Sequence, residues 1–267
     1  MKLFACMCNQ PQRLAAALAP VRAALIAQPP VSRWGLGYVQ GGDVLLVRTP
    51  KSSTTPVDLA SPLLEIKSDC AIAQAIRDPD GEQPTGTDNT PPFRFRRWLF
   101  AQTGTPSLAI APRLLEHVPE YLRRNIKGRT PAEVIFHLFL AMLHDEGNID
   151  DPNLSTAAQR RALAATLRLV TTELERVRAD SGSEQPRLGN VALTNGRSML
   201  LAHLDAPLRM RRLTVAGERG ERDDSFRGVL FVSGGDGEPK DGFEAVPASR
   251  AVLISRELQV SFADLST

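Results

Sequence analysis

Short apolar runs punctuated by turn residues make up most of the chain, and their period separates strands from helices. Residues 1–8, MKLFACMC, are apolar and too short for a helix, so they read as a strand. Residues 11–28 carry alanines and leucines at helical spacing with Pro20 inside, which predicts one helix kinked there or two short ones. Residues 34–38 predict a strand, Gly41-Gly42 a hairpin turn, and 43–48 a second strand around Val44-Leu45-Leu46-Val47. A short helix at 59–67 and a strand at 70–76 follow. Residues 87–104, TDNTPPFRFRRWLFAQTG, then form a proline-stiffened loop feeding a buried strand at Trp98-Leu99-Phe100-Ala101. That strand ends on a sharp turn at Thr103-Gly104, where glycine tolerates positive φ.

The second half alternates differently. Short helices are expected at 113–117 and 120–125. Thr130 and Glu133 then predict a capping box with Pro131 at the first helical position, opening a helix to about His144. His137 and His144 share one face of it; two ligands do not make a metal site, and the edge of a core is the simpler account. Ser155 caps a long amphipathic helix to 178, followed by a polar linker at 179–185. From Asn190 the pattern turns to strands, one through 213 and others at 228–233 and 251–255, with a glycine-rich loop at 234–241 expected to be mobile. No internal repeat is visible.

Composition narrows the class. The 267 residues suffice for one large domain, taken here as 1–267, and 42% hydrophobic with 23% charged content describes a globular protein. A net charge of +2 gives no global field for nucleic acid, and Arg94-Phe95-Arg96-Arg97 and Arg209-Met210-Arg211-Arg212 read as solvent faces of strands rather than a phosphate patch. Cys6, Cys8 and Cys70 form no disulfide framework. Cys6 and Cys8 point to one face of a strand, and C-x-C without a nearby histidine supplies too few metal ligands. No signal peptide and no apolar run of about 18 residues is seen, so a cytoplasmic location without a membrane is expected.

Several motifs together resemble class II, N-terminal-nucleophile glutamine amidotransferases, in particular their compact bacterial branch. Asn89-Thr90-Pro91-Pro92-Phe93 matches N-T-x-P-F, and residues 98–104 match W-x-F/Y-A-x-x-G. Trp34-Gly35-Leu36-Gly37-Tyr38 is similar to the strand opening W-G-I-G-Y, and residues 242–247 to G-W-x-x-V-P. The resemblance runs from Lys2 to about Phe262. It implies an α+β fold, the four-layer αββα sandwich of N-terminal-nucleophile hydrolases, with no cofactor.

The polar groups of the family's pocket depart from this framework. Laying Lys2-Leu3-Phe4-Ala5 on the family's R-L-F-G puts Met1 where the nucleophilic cysteine belongs, and that thiol relies on its own α-amino group as base. Exposure of Cys6 by removal of a leader is the alternative, at the cost of most of the first strand. Arg77 stands where the family clamps the glutamine carboxylate, but Ala75 replaces the histidine of H-x-R, and Asp78, Asp80 and Glu82 crowd it. Arg77 therefore either pairs with Asp78 or Asp80 or still receives a ligand. Pro91 and Gln102 replace histidines, Thr103 replaces the oxyanion asparagine, and Pro131 replaces the aspartate that binds the substrate amino group.

The resemblance thus implies a vestigial pocket of Arg77, Asn89, Thr90, Thr103 and Gly104, with no catalytic residue assigned. The function expected is a pseudo-glutaminase serving as a binding or regulatory module, with a protein partner or a small amino-acid-like ligand. The alternatives are a working amidotransferase or γ-glutamyl amide hydrolase, and a different hydrolase using Asp78, Asp80, Glu82 or Asp88 as acid or base.

Overall fold

Two large antiparallel sheets, which share a core, and a two-stranded ribbon carry the chain. The structure, a computed structural model, describes residues 1–78, 81, 83–182, 188–217, 221–234 and 242–265. In chain order the first half comprises β1 (Lys2–Cys8), α1 (Leu14–Leu18), β2 (Ile26–Ala27), β3 (Arg33–Gln40), β4 (Asp43–Thr49), β5 (Val57–Asp58), β6 (Cys70–Ile76), β7 (Phe93–Phe95) and β8 (Trp98–Gln102). Four helices follow, α2 (Ile110–Glu116), α3 (Glu120–Arg123), α4 (Pro131–Glu146) and α5 (Thr156–Ser181). The rest is strand: β9 (Val191–Thr194), β10 (Met199–Ala202), β11 (Leu208–Leu213), β12 (Gly228–Ser233), β13 (Glu244–Ala245), β14 (Arg250–Ile254) and β15 (Val260–Asp264). The fold is α+β.

One sheet has the order β13-β11-β12-β1-β6-β3-β4, and the other β15-β14-β10-β9-β8-β7. β1 lies inside the first, paired antiparallel with β12 (Cys6 opposite Leu230) and with β6 (Cys6 opposite Ala71). Side chains alternate across a strand, and β1 uses both faces. Phe4, Cys6 and Cys8 pack with Leu14, Leu18 and Leu25 of the α1 region, as the alternation predicts for the two cysteines. Leu3, Ala5 and Met7 share a second core with Leu99, Ala101 and Leu201 of the other sheet. At Gly37 a Cβ would stand 2.7 Å from Leu99 Cδ2 of the other sheet, so only glycine fits beneath β8.

A third core joins β8, β9 and β10 to α4 and α5. Trp98 is fully buried in it, edge-on to Phe139 at 5.7 Å between centroids, and gives its indole N–H to Ile149 O at 2.9 Å. Phe100 stacks on Phe136 at 5.3 Å. Satisfying the polar end of a buried tryptophan is what makes such a large apolar side chain tolerable there. α4 is buried on most sides, which explains why its sequence is apolar almost throughout.

Several expectations change. Residues 11–28 form only the five-residue α1, flanked by 3-10 turns at Pro11–Arg13 and Ala19–Leu25, because Pro20 cannot donate into a continuing α-ladder. The helix expected at 59–67 shrinks to a 3-10 turn, Ser61–Leu64. The predicted capping box does not form: Thr130 makes no side-chain cap bond, and the Glu133 carboxylate accepts instead from the backbone N–H of Lys127 and Gly128. Ser155 does cap α5, accepting from Ala158 N at 3.2 Å. The linker expected from 179 is still helix to Ser181, and residues 183–187 lie outside the described residues, as does the loop at 235–241.

Candidate functional site

The first strand, the turn after β8 and the start of α4 converge on one place. Gly104 follows β8 with φ +89°, a conformation that sends its amide N–H toward the first sheet. That N–H donates to Met1 Sδ at 3.2 Å. Sulfur of a thioether is a weak acceptor with no proton to give. At the position matched to the family's nucleophile, the side chain therefore caps a backbone donor and offers no thiolate.

Two small cavities lie near Met1 and Gly104. One, of about 40 Å³, is lined by Met1, Ala75 and Arg77. The Arg77 guanidinium donates to the carbonyls of Gln28 (3.3 Å) and Pro29 (3.1 Å). The other, of about 30 Å³, is lined by Arg33, Gln74, Asn89, Gln102, Gly104 and Pro131, among others. Volumes of this size hold about two or three water molecules, well short of a free amino acid.

Of the residues expected in the pocket, Asn89 and Gly104 meet in the second cavity and Arg77 lies in the first. Asn89 is fully committed to the protein: Nδ2 donates to Thr85 O at 2.6 Å, and Oδ1 accepts from Arg129 N at 2.7 Å. Thr90 is buried and donates to Gly86 O at 2.9 Å. Thr103 is buried with Oγ1 3.5 Å from Asn190 O, at the margin of a hydrogen bond. These two side chains brace the turn and line neither cavity. Pro131, at the first position of α4, presents a ring.

Arg33, Gln74 and Thr130 enlarge the picture drawn from sequence. Arg33 is buried, its Nε donates to Asn89 O at 3.2 Å, and its Nη1 lies 3.8 Å from Asp78 Oδ2, so Asp78 serves Arg33. Burial pulls the Arg33 guanidinium below its usual pKa, while Asp78 opposes that shift. Gln74 Nε2 donates to Gln102 O at 2.5 Å. Gln74 Oε1, both polar side-chain atoms of Gln102 and Thr130 Oγ1 find no partner among the described residues. The signals were a glutamine inside the apolar run CAIAQAI and an arginine in place of the family's glycine before Trp34. Of the acid candidates, Asp78 accepts from Gln83 N at 3.0 Å, Asp88 is exposed, and Asp80 and Glu82 lie outside the described residues.

Cys6 is fully buried in the middle of β1, and burial first, then Cys70 and Cys8, push its pKa well up. Among the described residues no cluster of three or more metal-ligating side chains exists, and no helix is long and apolar enough to cross a membrane.

In fold and in sequence motifs the chain resembles class II glutamine amidotransferase domains. A glutamine amidotransferase class-II domain protein from Silicibacter pomeroyi superposes with a TM-score of 0.58 at 17% identity, covering 100% of both chains. A predicted glutamine amidotransferase from Pseudomonas aeruginosa gives 0.55 at 14% identity, covering 97% of this chain and 99% of that one. In sequence, the probable glutamine amidotransferase DUG3 of Saccharomyces cerevisiae is 27% identical over 191 residues, 63% of this chain and 53% of the yeast protein. The chain thus matches about half the length of that curated relative. No family model matches the chain.

Proposed function

We propose that the protein is a catalytically degenerate class II glutamine amidotransferase-like module, retained for binding or regulation and not for releasing ammonia from glutamine. The observation that carries this reading is the Gly104 N–H bound to Met1 Sδ. In the resembled family that amide faces the developing oxyanion beside a cysteine thiolate. Here it faces a thioether, and a thioether neither attacks a carboxamide nor leaves room for one. Loss of a single oxyanion donor costs about 2.7–4 kcal/mol of transition-state stabilisation, and the nucleophile is missing as well.

The remaining pocket supports the same conclusion. Pro131 cannot bind an ammonium group, Asn89 and Thr103 are turned to structural work, and Arg77 lines a different cavity from Asn89 and Gly104. The three cores, taken together, stack as helices, sheet, sheet and helices, which we read as the four-layer αββα sandwich built by a single domain over 1–267. The likeness to named amidotransferases favours a working glutaminase as the second reading. It requires a thiol at the pocket, and the thiol nearest in sequence, Cys6, faces the α1 side of the sheet.

Incubation of the purified protein with glutamine tests the proposal. Ammonia release no greater than from a heat-treated control is expected. Turnover that disappears in Cys6→Ala would overturn it and establish a processed, active form.

A further inference from the structure

A second site stands apart from the two small cavities. β4, the β7–β8 hairpin and the connection between α3 and α4 enclose a cleft of about 730 Å³. Five cationic side chains line it, Arg48, Arg94, Arg96, Arg124 and Lys127, against two carboxylates, Asp88 and Glu133. The formal excess in this one cleft is three positive charges, more than the +2 of the entire chain. Like charges gathered in a concavity repel one another and raise the local potential for an anion. Arg94 and Arg96, which the sequence alone assigns to the solvent face of a strand, join three cations from distant parts of the chain.

Apart from Arg96, the cations of the cleft make no direct ion pair among the described residues. Arg48 gives its Nη atoms to the carbonyls of Thr87 (3.3 Å) and Pro92 (2.5 Å), while its buried Nε has no partner among the described residues. Arg94 donates to Val44 O at 2.6 Å. Carbonyls orient a guanidinium and leave its charge available, the preparation that phosphate recognition requires. Arg96 pairs with Asp150 and lies over the Phe95 ring. The Arg124 and Lys127 side chains are exposed and make no hydrogen bond or ion pair among the described residues. Of the acids, Glu133 already has both oxygens on backbone amides, and Asp88 sits on the exposed rim. Tyr121, half-exposed and edge-on to His144, adds an aromatic face at the mouth.

We propose that this cleft binds a small phosphate-bearing ligand of the nucleoside di- or triphosphate class, its phosphates among the five cations and its base against Tyr121. The volume falls within the range of about 300–1,000 Å³ typical of small-molecule sites. The near-neutral charge of the whole chain argues against an extended nucleic acid.

Isothermal titration with ATP and with inorganic pyrophosphate at low ionic strength tests this. ATP is expected to bind, to weaken as salt rises, and to lose at least about tenfold in affinity in the double variant Arg124→Glu/Lys127→Glu. Lys51→Glu, a charge reversal outside the cleft, should leave binding within about twofold. Tyr121→Ala should weaken ATP and not pyrophosphate. Absence of ATP binding, equal loss in Lys51→Glu, or an unaffected double variant would overturn the site. Equal affinity for ATP and pyrophosphate would overturn the nucleoside assignment. Much tighter binding of a single-stranded oligonucleotide would overturn the small-molecule one. Urea unfolding of each variant guards against a folding defect, since none of the altered side chains is buried.

Discussion

Glu133 reaches back past the start of its own helix to accept the amide N–H of Gly128 at 2.7 Å, its other oxygen taking that of Lys127 at 3.0 Å. The next amide, Arg129 N, goes to Asn89 Oδ1. Two side chains thus fix the loop that leads into α4 and brings Pro131 to the pocket. Glu133→Ala strands two partly buried amides and is expected to cost about 1–3 kcal/mol in urea unfolding. The pH dependence has a defined sign. Burial raises the Glu133 pKa above its ordinary 4.5, with the two backbone amides and Arg48 opposing. A folded-state pKa above the unfolded one makes this group's contribution complete below about pH 4.5 and lost as pH rises through the folded value. Wild type should therefore lose stability relative to Glu133→Gln over that rise, and parallel unfolding curves at each pH are the check.

The cysteines are expected to be inert in the native protein. All three are buried, and burial first raises the thiol of Cys8 to about 12 and those of Cys6 and Cys70 upward as well. Reactivity follows the thiolate, so a chromogenic disulfide reagent near neutral pH should label no thiol in native buffer and three in denaturant. A single fast-reacting thiol would contradict the geometry and reopen Cys6 as a nucleophile.

Local pattern was enough wherever one physical rule decided an element. β6 and β12 lie within the predicted bounds because an apolar run between turn residues leaves no other choice, and Gly41-Gly42, both at positive φ, make the expected hairpin. β10 and β15 were missed because each pairs with a strand whose position is set by tertiary packing. The predicted capping box failed for a similar reason: the T-P-A-E spacing is local, but Glu133 answers to amides of a loop that Asn89 holds from forty residues away. The loss of pocket groups was legible residue by residue. The thioether on Gly104, the pairing of Asp78 with Arg33 and the charge of the cleft needed the fold.

Gly189 backs the turn that presents Gly104. A Cβ there would stand 1.9 Å from Thr103 O and 2.1 Å from Thr103 C, a clash with backbone. Gly189→Ala should cost at least about 1–3 kcal/mol, the range for overpacking a filled interior. Trimming the neighbour in Thr103→Ser should not restore stability, because the offending atoms belong to the main chain. Recovery in that double variant would show that the segment has room to shift.

Supplying a nucleophile should not by itself restore a glutaminase. A variant with cysteine in place of Met1 and a free α-amino group would release the Gly104 N–H from the thioether that now accepts it. The charge clamps would still be missing. Pro131 offers nothing to the substrate's amino group, and each absent charged hydrogen bond is worth roughly 1.5–3 kcal/mol. Thr103 Oγ1 sits near Asn190 O and does not pair with Gly104 at an oxyanion. No ammonia release is therefore expected from the cysteine variant, and turnover should emerge only when Pro131→Asp and Thr103→Asn are added. Mass spectrometry after a γ-glutamyl-directed alkylating analogue separates the possible causes of silence. Labelling of the new cysteine without turnover would locate the deficit in the oxyanion and ammonium groups. Turnover by the cysteine variant alone would mean that the pocket is competent and that the reading of it as degenerate is wrong.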